Sequence, residues 1–116
     1  MKIDKSLLSG STTLLILSLL QEQDQYGYQM IAALAARSEE VFQMKEGTLY
    51  PALHALENRG CVVSYEKEGP SGRQRKYYHI TRKGLALLAE KEAEWRAFSK
   101  AVGQVLNAQP PALAEI

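Results

Sequence analysis

Two groups of side chains in this 116-residue sequence are of types and spacings that could do chemistry, and both suit phosphate better than catalysis. Between Gly69 and Lys83 stand Arg73, Arg75, Lys76, Arg82 and Lys83, with no carboxylate among them. Arginines flanking a glycine-containing tip can enter a minor groove, where the negative potential favours them, and Lys76 is placed for the phosphate backbone. The second group is Lys45, Thr48, Tyr50 and His54, gathered around Gly47-Thr48. At a helix start these residues would add charge and hydroxyls to backbone N–H groups that already favour phosphate. None of them is an Arg or Asn suited to bidentate base readout, so shape and phosphate contacts are expected to carry much of the affinity.

Enzyme chemistry finds no such support. His54 and His79 are isolated from one another, no nucleophile stands in a recognisable setting, and Gly69 to Gly72 lacks the strand-to-helix context of a nucleotide-binding loop. A single cysteine, Cys61, excludes an internal disulfide and a multi-cysteine metal site, and reads as a small buried strand residue. The expectation is a non-enzyme without metal or cofactor.

The elements that must position these groups follow from periodicity. Thr13 to Leu20 is apolar almost all round, predicting a first helix buried on more than one side and ended by the polar Gln21 to Gln25 stretch. Tyr26 to Arg37 places Tyr26, Met30, Ile31 and Leu34 at helical spacing, and Ser38 to Met44 reads as a loop. A third helix opens at Lys45-Glu46-Gly47-Thr48, carries Leu49, Leu53 and Leu56 inward, and stops at Gly60. Pro51 is expected in or near its first turn. Cys61–Tyr65 and Lys76–Ile80 are short, β-branched and aromatic, joined through Gly69-Pro70-Ser71-Gly72, which predicts a β-hairpin with a basic return strand. Tyr77 and Tyr78 then point to opposite faces, one into the core and one toward DNA or the last helix. Thr81 caps a final helix on which Leu88, Trp95, Phe98 and Val102 make a coiled-coil-like seam, and Pro110-Pro111 ends it.

Helix, helix, helix, hairpin, helix is the order of a winged helix-turn-helix: mainly α with a small β-hairpin, plus a C-terminal dimerisation helix. The expected division is a winged domain over 1–80, the dimerisation helix over 81–109 and a loose tail over 110–116. An apolar content of 46% fits a single globular domain with one modest core. The net charge of +1 means that any nucleic-acid surface must come from local clustering. The longest apolar run is too short for a bilayer and no signal-peptide arrangement is visible, so a cytoplasmic location is expected.

The motifs are more specific than the topology. Tyr26-Gly27-Tyr28, Gly47-Thr48-Leu49-Tyr50-Pro51-Ala52-Leu53, Leu56-Glu57, Gly60, Arg75-Lys76-Tyr77-Tyr78 and Ile80-Thr81-Arg82-Lys83-Gly84 together resemble the PadR family of transcriptional regulators, in order and spacing, from about Leu14 to Trp95. The short C-terminal region is similar to the branch with a single dimerising helix. The resemblance implies a homodimeric repressor that binds a pseudo-palindromic operator on double-stranded DNA. It also implies release by a small, flat aromatic inducer, because some short members use a tryptophan on that helix to sandwich such compounds, and Trp95 occupies the comparable stretch. On its seam alone, Trp95 reads as dimer packing, and only the resemblance brings in a ligand. The alternative to DNA binding is a winged-helix module that works through protein contacts.

Overall fold

An apolar segment that must be covered on several sides ends up in the middle of the fold, and here that segment is α2. The computed structural model describes residues 2–107. Their elements are α1 (Lys5–Ser9), α2 (Thr12–Glu22), β1 (Gln25–Tyr26), α3 (Gly27–Arg37), α4 (Glu46–Asn58), β2 (Val62–Glu68), β3 (Gln74–Ile80) and α5 (Arg82–Leu106). Ile16, Leu17, Leu19 and Leu20 of α2 are buried on more than one side. They meet Met30 and Leu34 of α3, Leu49, Leu53 and Leu56 of α4, Tyr78 and Ile80 of β3, and Leu87 and Leu88 of α5.

The sheet is antiparallel with strand order β1-β3-β2. In the hairpin, Val62 lies opposite Ile80, Ser64 opposite Tyr78, Tyr65 opposite Tyr77 and Lys67 opposite Arg75. The period-2 alternation therefore sends Val62, Tyr78 and Ile80 to the core face and Tyr65, Tyr77 and His79 to the other. β1 went unread in the sequence because it is two residues long. Gln25 pairs with Tyr78 and Tyr26 with Tyr77, and the buried Gln25 amide is satisfied by donating to the Leu19 carbonyl at 3.1 Å. The short α1 was likewise not anticipated. Asp4 starts it by accepting from the Ser6 N–H at 2.9 Å.

The third helix begins at Glu46, within the expected Lys45–Thr48 opening, and Pro51 lies in its second turn. A proline there cannot donate to the Gly47 carbonyl. Both residues are exposed, so water can take that bond. At the other end, Gly60 has φ +77°, its N–H donates to the Glu57 carbonyl at 3.0 Å and the Cys61 N–H to the Leu56 carbonyl at 2.8 Å. This is a Schellman ending, with buried Cys61 and Leu56 as its apolar contact.

Thr81 ties the end of the hairpin to that stop. Its hydroxyl donates to the Gly60 carbonyl at 2.7 Å and accepts from the Gly84 N–H at 3.1 Å, while its own N–H donates to the Cys61 carbonyl at 3.0 Å. The first two turns of α5 supply its buried residues; the next turns, from Lys91 to Phe98, flank a groove beside α1 and α2, and the helix is exposed beyond. Leu88 is only 2% exposed and so belongs to the core and not to an open seam, which begins further along. The tail expected over 110–116 lies outside the described residues.

Gly84 is where α5 touches this junction. A Cβ built there would sit 2.1 Å from the Cys61 carbonyl oxygen, which is backbone and cannot swing away. Gly84→Ala should cost at least the ~1–3 kcal/mol of an overpacked core, read from urea unfolding. Gly103→Ala, whose Cβ meets only the Asn107 side chain at 4.0 Å, should instead stabilise by about 0.5–1 kcal/mol. Equal responses from the two variants would reject the tight junction.

Candidate nucleic-acid interface

α4 has one apolar stripe and therefore one free face. With Leu49, Leu53 and Leu56 inward, the face toward solvent carries Thr48, Pro51, His54, Ala55 and Asn58. Gly47 is also exposed, and nothing lies within 4 Å of where its Cβ would be, so this first turn is open to close approach. Lys45, at the N-cap, and Thr48 and His54 are all exposed as the sequence implied. No side chain caps the N-terminus of α4, and the Lys45 carbonyl already accepts from the Thr48 and Leu49 N–H groups. The Glu46 and Gly47 N–H groups precede the first intrahelical bond and point outward for an anion.

Tyr50 does not share this face. It is half-buried, and a Cβ on Gly27 would fall 2.2 Å from its hydroxyl oxygen, so the phenol lies over the start of α3. Position 50 neighbours the Leu49–Leu53 stripe, and the ring follows that stripe inward. Tyr50 packs α4 against α3 and does not stand on the open face with Thr48 and His54, where it was expected.

The wing is more mixed than its basic return strand implied. The turn is closed by the Gly69 N–H donating to the Arg73 carbonyl at 2.8 Å, and Gly72 there has φ +84°. Register places Glu66 opposite Lys76 and Glu68 opposite Gln74, so the first strand brings carboxylates beside the cations of the second. Arg73 and Lys76 are exposed. Arg75 is half-buried, its guanidinium lies 4.9 Å over the Tyr26 ring, and its Nε is buried without a hydrogen-bond partner. It is as much a packing residue as a free cation.

Tyr77 was expected to reach outward if Tyr78 packed inward, yet both are buried, at 6% and 1% exposure. On the outer face Tyr77 stacks on Tyr65, with centroids 5.8 Å apart, and meets the Tyr26 ring edge-on at 5.3 Å. Lys67 covers it at 4.8 Å. Tyr77 is thus the centre of a second small cluster and does not reach outward to DNA.

Asp24, which sequence reasoning passed over, clips this cluster to the body. It accepts from the Tyr65 hydroxyl at 2.6 Å, and its other oxygen lies 2.8 Å from His79 Nδ1. Burial works to raise the Asp24 carboxyl, but the bonds to Tyr65 and His79 and the charge of Lys67 outweigh it and hold it below the ordinary carboxylate value. Asp24 is 41 and 55 residues from its two partners, so no local spacing could have found it. A second tie joins wing to helix: the Ser64 hydroxyl donates to Glu57 of α4 at 2.6 Å.

Trp95 is 52% exposed and lines a groove of about 480 Å³ with Leu7, Leu14, Val41 and Phe98. Phe98 is 63% and Val102 39% exposed, and Val105 and Leu106 continue the apolar face. Lys45 and Thr48 line a different cavity, and the wing cations stand apart from both. Among the described residues no group of His, Cys, Asp and Glu could hold a metal, and no helix is long and apolar enough to cross a membrane.

Comparison with known proteins identifies the family and the fold. The model of the transcriptional regulator PadR-like family matches residues 16–90. A transcriptional regulator from Clostridium thermocellum is similar in structure, with TM-score 0.80 and 34% identity over 88% of this chain and 96% of that one. A PadR family transcriptional regulator from Eggerthella lenta gives 0.77 and 36% over 90% and 88%. A transcriptional regulator from Mycobacterium tuberculosis is 39% identical over 72 residues, which are 62% of this chain and 64% of that protein.

The Asp24 clip makes a test. The hydrogen bond to Asp24, aided by burial and by the carboxylate charge, pushes the Tyr65 phenol up to about 12 from 10.0. A raised value in the fold means that this contribution to stability is full below pH 10 and lost as pH rises through about 12. Followed by NMR of tyrosine labelled at Cζ, Tyr65 should titrate late, and Asp24→Asn should bring it back toward 10.0. A Tyr65 value that ignores Asp24→Asn would sever the clip.

Proposed function

The chain belongs to the PadR-like family of transcriptional regulators, which are not enzymes, and from that premise we propose that it is a homodimeric repressor that binds a pseudo-palindromic operator and is released by a flat aromatic ligand. The observation that carries the DNA contact is the set of exposed cations. Lys45, Arg73 and Lys76 have no carboxylate partner within 4.0 Å among the described residues, although the wing carries carboxylates of its own. Cations left unpaired in this way are available to replace the counterions of a phosphate backbone. Lys45 and the wing supply affinity, while Thr48 and His54 on the open face of α4 are the side chains that meet base edges.

The dimer follows from α5. Trp95, Phe98, Val102, Val105 and Leu106 are too large an apolar face for a lone chain, and a two-fold pairing buries it while presenting two copies of α4 together. Trp95 and its symmetry mate then flank a central space in which a planar ring can stack, worth about 1 kcal/mol per face beyond area burial. Such a ligand releases DNA only by preferring the spacing of the two α4 helices that DNA does not accept. The coupling is steric and needs no unfolding.

Two measurements test these assignments. Arg73→Ala should weaken operator and random DNA alike. It should also make the log–log salt dependence shallower by about one unit for each phosphate that the side chain neutralises in each protomer. Thr48→Ala should instead narrow the ratio between the two DNAs. An unchanged salt slope would remove the wing from the interface. Because Trp95 is the sole tryptophan, its fluorescence reports this site directly when a panel of planar aromatic compounds is titrated. Trp95→Ala should abolish DNA release by any compound that quenches it, with light scattering confirming the dimer. Release that persists at normal affinity places the ligand elsewhere.

A further inference from the structure

Beside the start of α4 lies a separate cavity of about 330 Å³, at the lower end of the ~300–1,000 Å³ range of small-molecule sites. It is a half-open pocket between α1, α2, the loop that leads into α4 and the first turn of α4. Leu8, Leu15, Phe42 and Met44 are half-buried and give it an apolar floor, while Lys5 and Lys45 are exposed at its edge. Its lining contains no Asp or Glu, and neither lysine has a carboxylate within 4.0 Å among the described residues. The one buried hydroxyl there, on Thr12, already donates to the Leu8 carbonyl at 3.4 Å. An apolar floor with two unpaired ammonium groups at its edge is complementary to a molecule with a hydrocarbon body and one negative end.

We propose that this cavity binds a compact apolar carboxylate, and that a bound carboxylate displaces DNA because Lys45 and Thr48 line the cavity and also stand at the DNA-facing end of α4. The site itself stands on the cavity alone; the displacement rests on α4 being the helix that meets DNA. A bare phosphate would leave the floor wet, and a neutral hydrocarbon would leave both ammonium groups unanswered. Leu8 and Phe42 form a wall between this cavity and the Trp95 groove, so an aromatic probe could report on either. An aliphatic acid does not stack on Trp95 and isolates the new site.

Methionine methyl NMR on the full chain tests it with octanoate as the probe. Met44 lines the cavity, and Met30, fully buried in the core, is the internal control. Octanoate should shift the Met44 methyl saturably and leave Met30 in place. Octanol and inorganic phosphate should each bind about tenfold or more weakly, since each lacks one half of the match. Lys5→Ala should weaken octanoate several-fold. It should leave affinity for a duplex selected from a random library unchanged when no octanoate is present. In the parent protein, saturating octanoate should lower affinity for that duplex about tenfold, and Lys5→Ala should raise the octanoate concentration required. A motionless Met44, or equal shifts from octanol or phosphate, overturns the carboxylate site. Saturable binding with undiminished DNA affinity overturns the displacement. A chain that selects no duplex at all overturns the DNA-facing role of α4, while the Met44 titration still decides the site.

Discussion

The recognition-helix candidate α4, the wing and α5 all hang from one crowded junction, where the stop of α4, the start of β2, the end of β3 and the start of α5 meet. Gly60 turns the chain in the left-handed region, the Cys61 carbonyl accepts from Thr81, and the Thr81 hydroxyl bonds to both Gly60 and Gly84. Gly84 lies so close to the Cys61 carbonyl that no side chain fits between them. Four elements therefore share one set of backbone contacts, and the orientation of α4 cannot change without involving the root of the wing and of α5. That coupling is a physical requirement for any regulator in which events along the last helix must be felt by the reading helix.

Around this junction the tyrosines of the sheet are divided between its two faces. Tyr78 is locked into the main core, where burial first, and then the negative charge of Glu57, raise its phenol. Tyr77 belongs to the outer cluster with Tyr65 and Tyr26, roofed by Lys67 and Arg75 and clipped by Asp24. The cations of the wing are thus not equivalent. Lys67 and Arg75 hold their charged ends over the Tyr77 and Tyr26 rings, Lys76 lies more loosely, 5.8 Å from the Tyr78 ring centroid, and Arg73 is exposed. A strand that looks uniformly basic in sequence is, in space, partly a lid.

The sequence was most legible where a backbone device and a hydrophobic period agree. The Leu49–Leu53–Leu56 stripe followed by Gly60, and the apolar band of α2, each admit one solution. The hairpin was legible from its turn residues, although both strands run further toward the tip than their apolar portions. What escaped was of two kinds. β1 and α1 are too short to carry a period, and β1 exists only because β3 offers a free edge to Gln25 and Tyr26. The site residues were harder, because exposure depends on neighbours distant in the chain. Tyr50 faces Gly27, Leu88 belongs to the core, and Asp24 acquires its partners only when the sheet closes. Lys45, Thr48 and His54 lie on the accessible part of α4 because helical spacing alone decides that.

The form of α5 has a mechanical meaning of its own. All its buried residues lie in its first two turns, yet it runs for 25 residues, about 37 Å at 1.5 Å per residue. A rod held at one end converts angle into distance: each degree of tilt at Gly84 moves the far end by about 0.6 Å. Conversely, an ångström of displacement near Leu106 arrives at the junction as a rotation of less than two degrees. The short grip and long shaft act as reduction gearing, so coarse movements at the distal end become fine adjustments of the helix that carries Thr48 and His54.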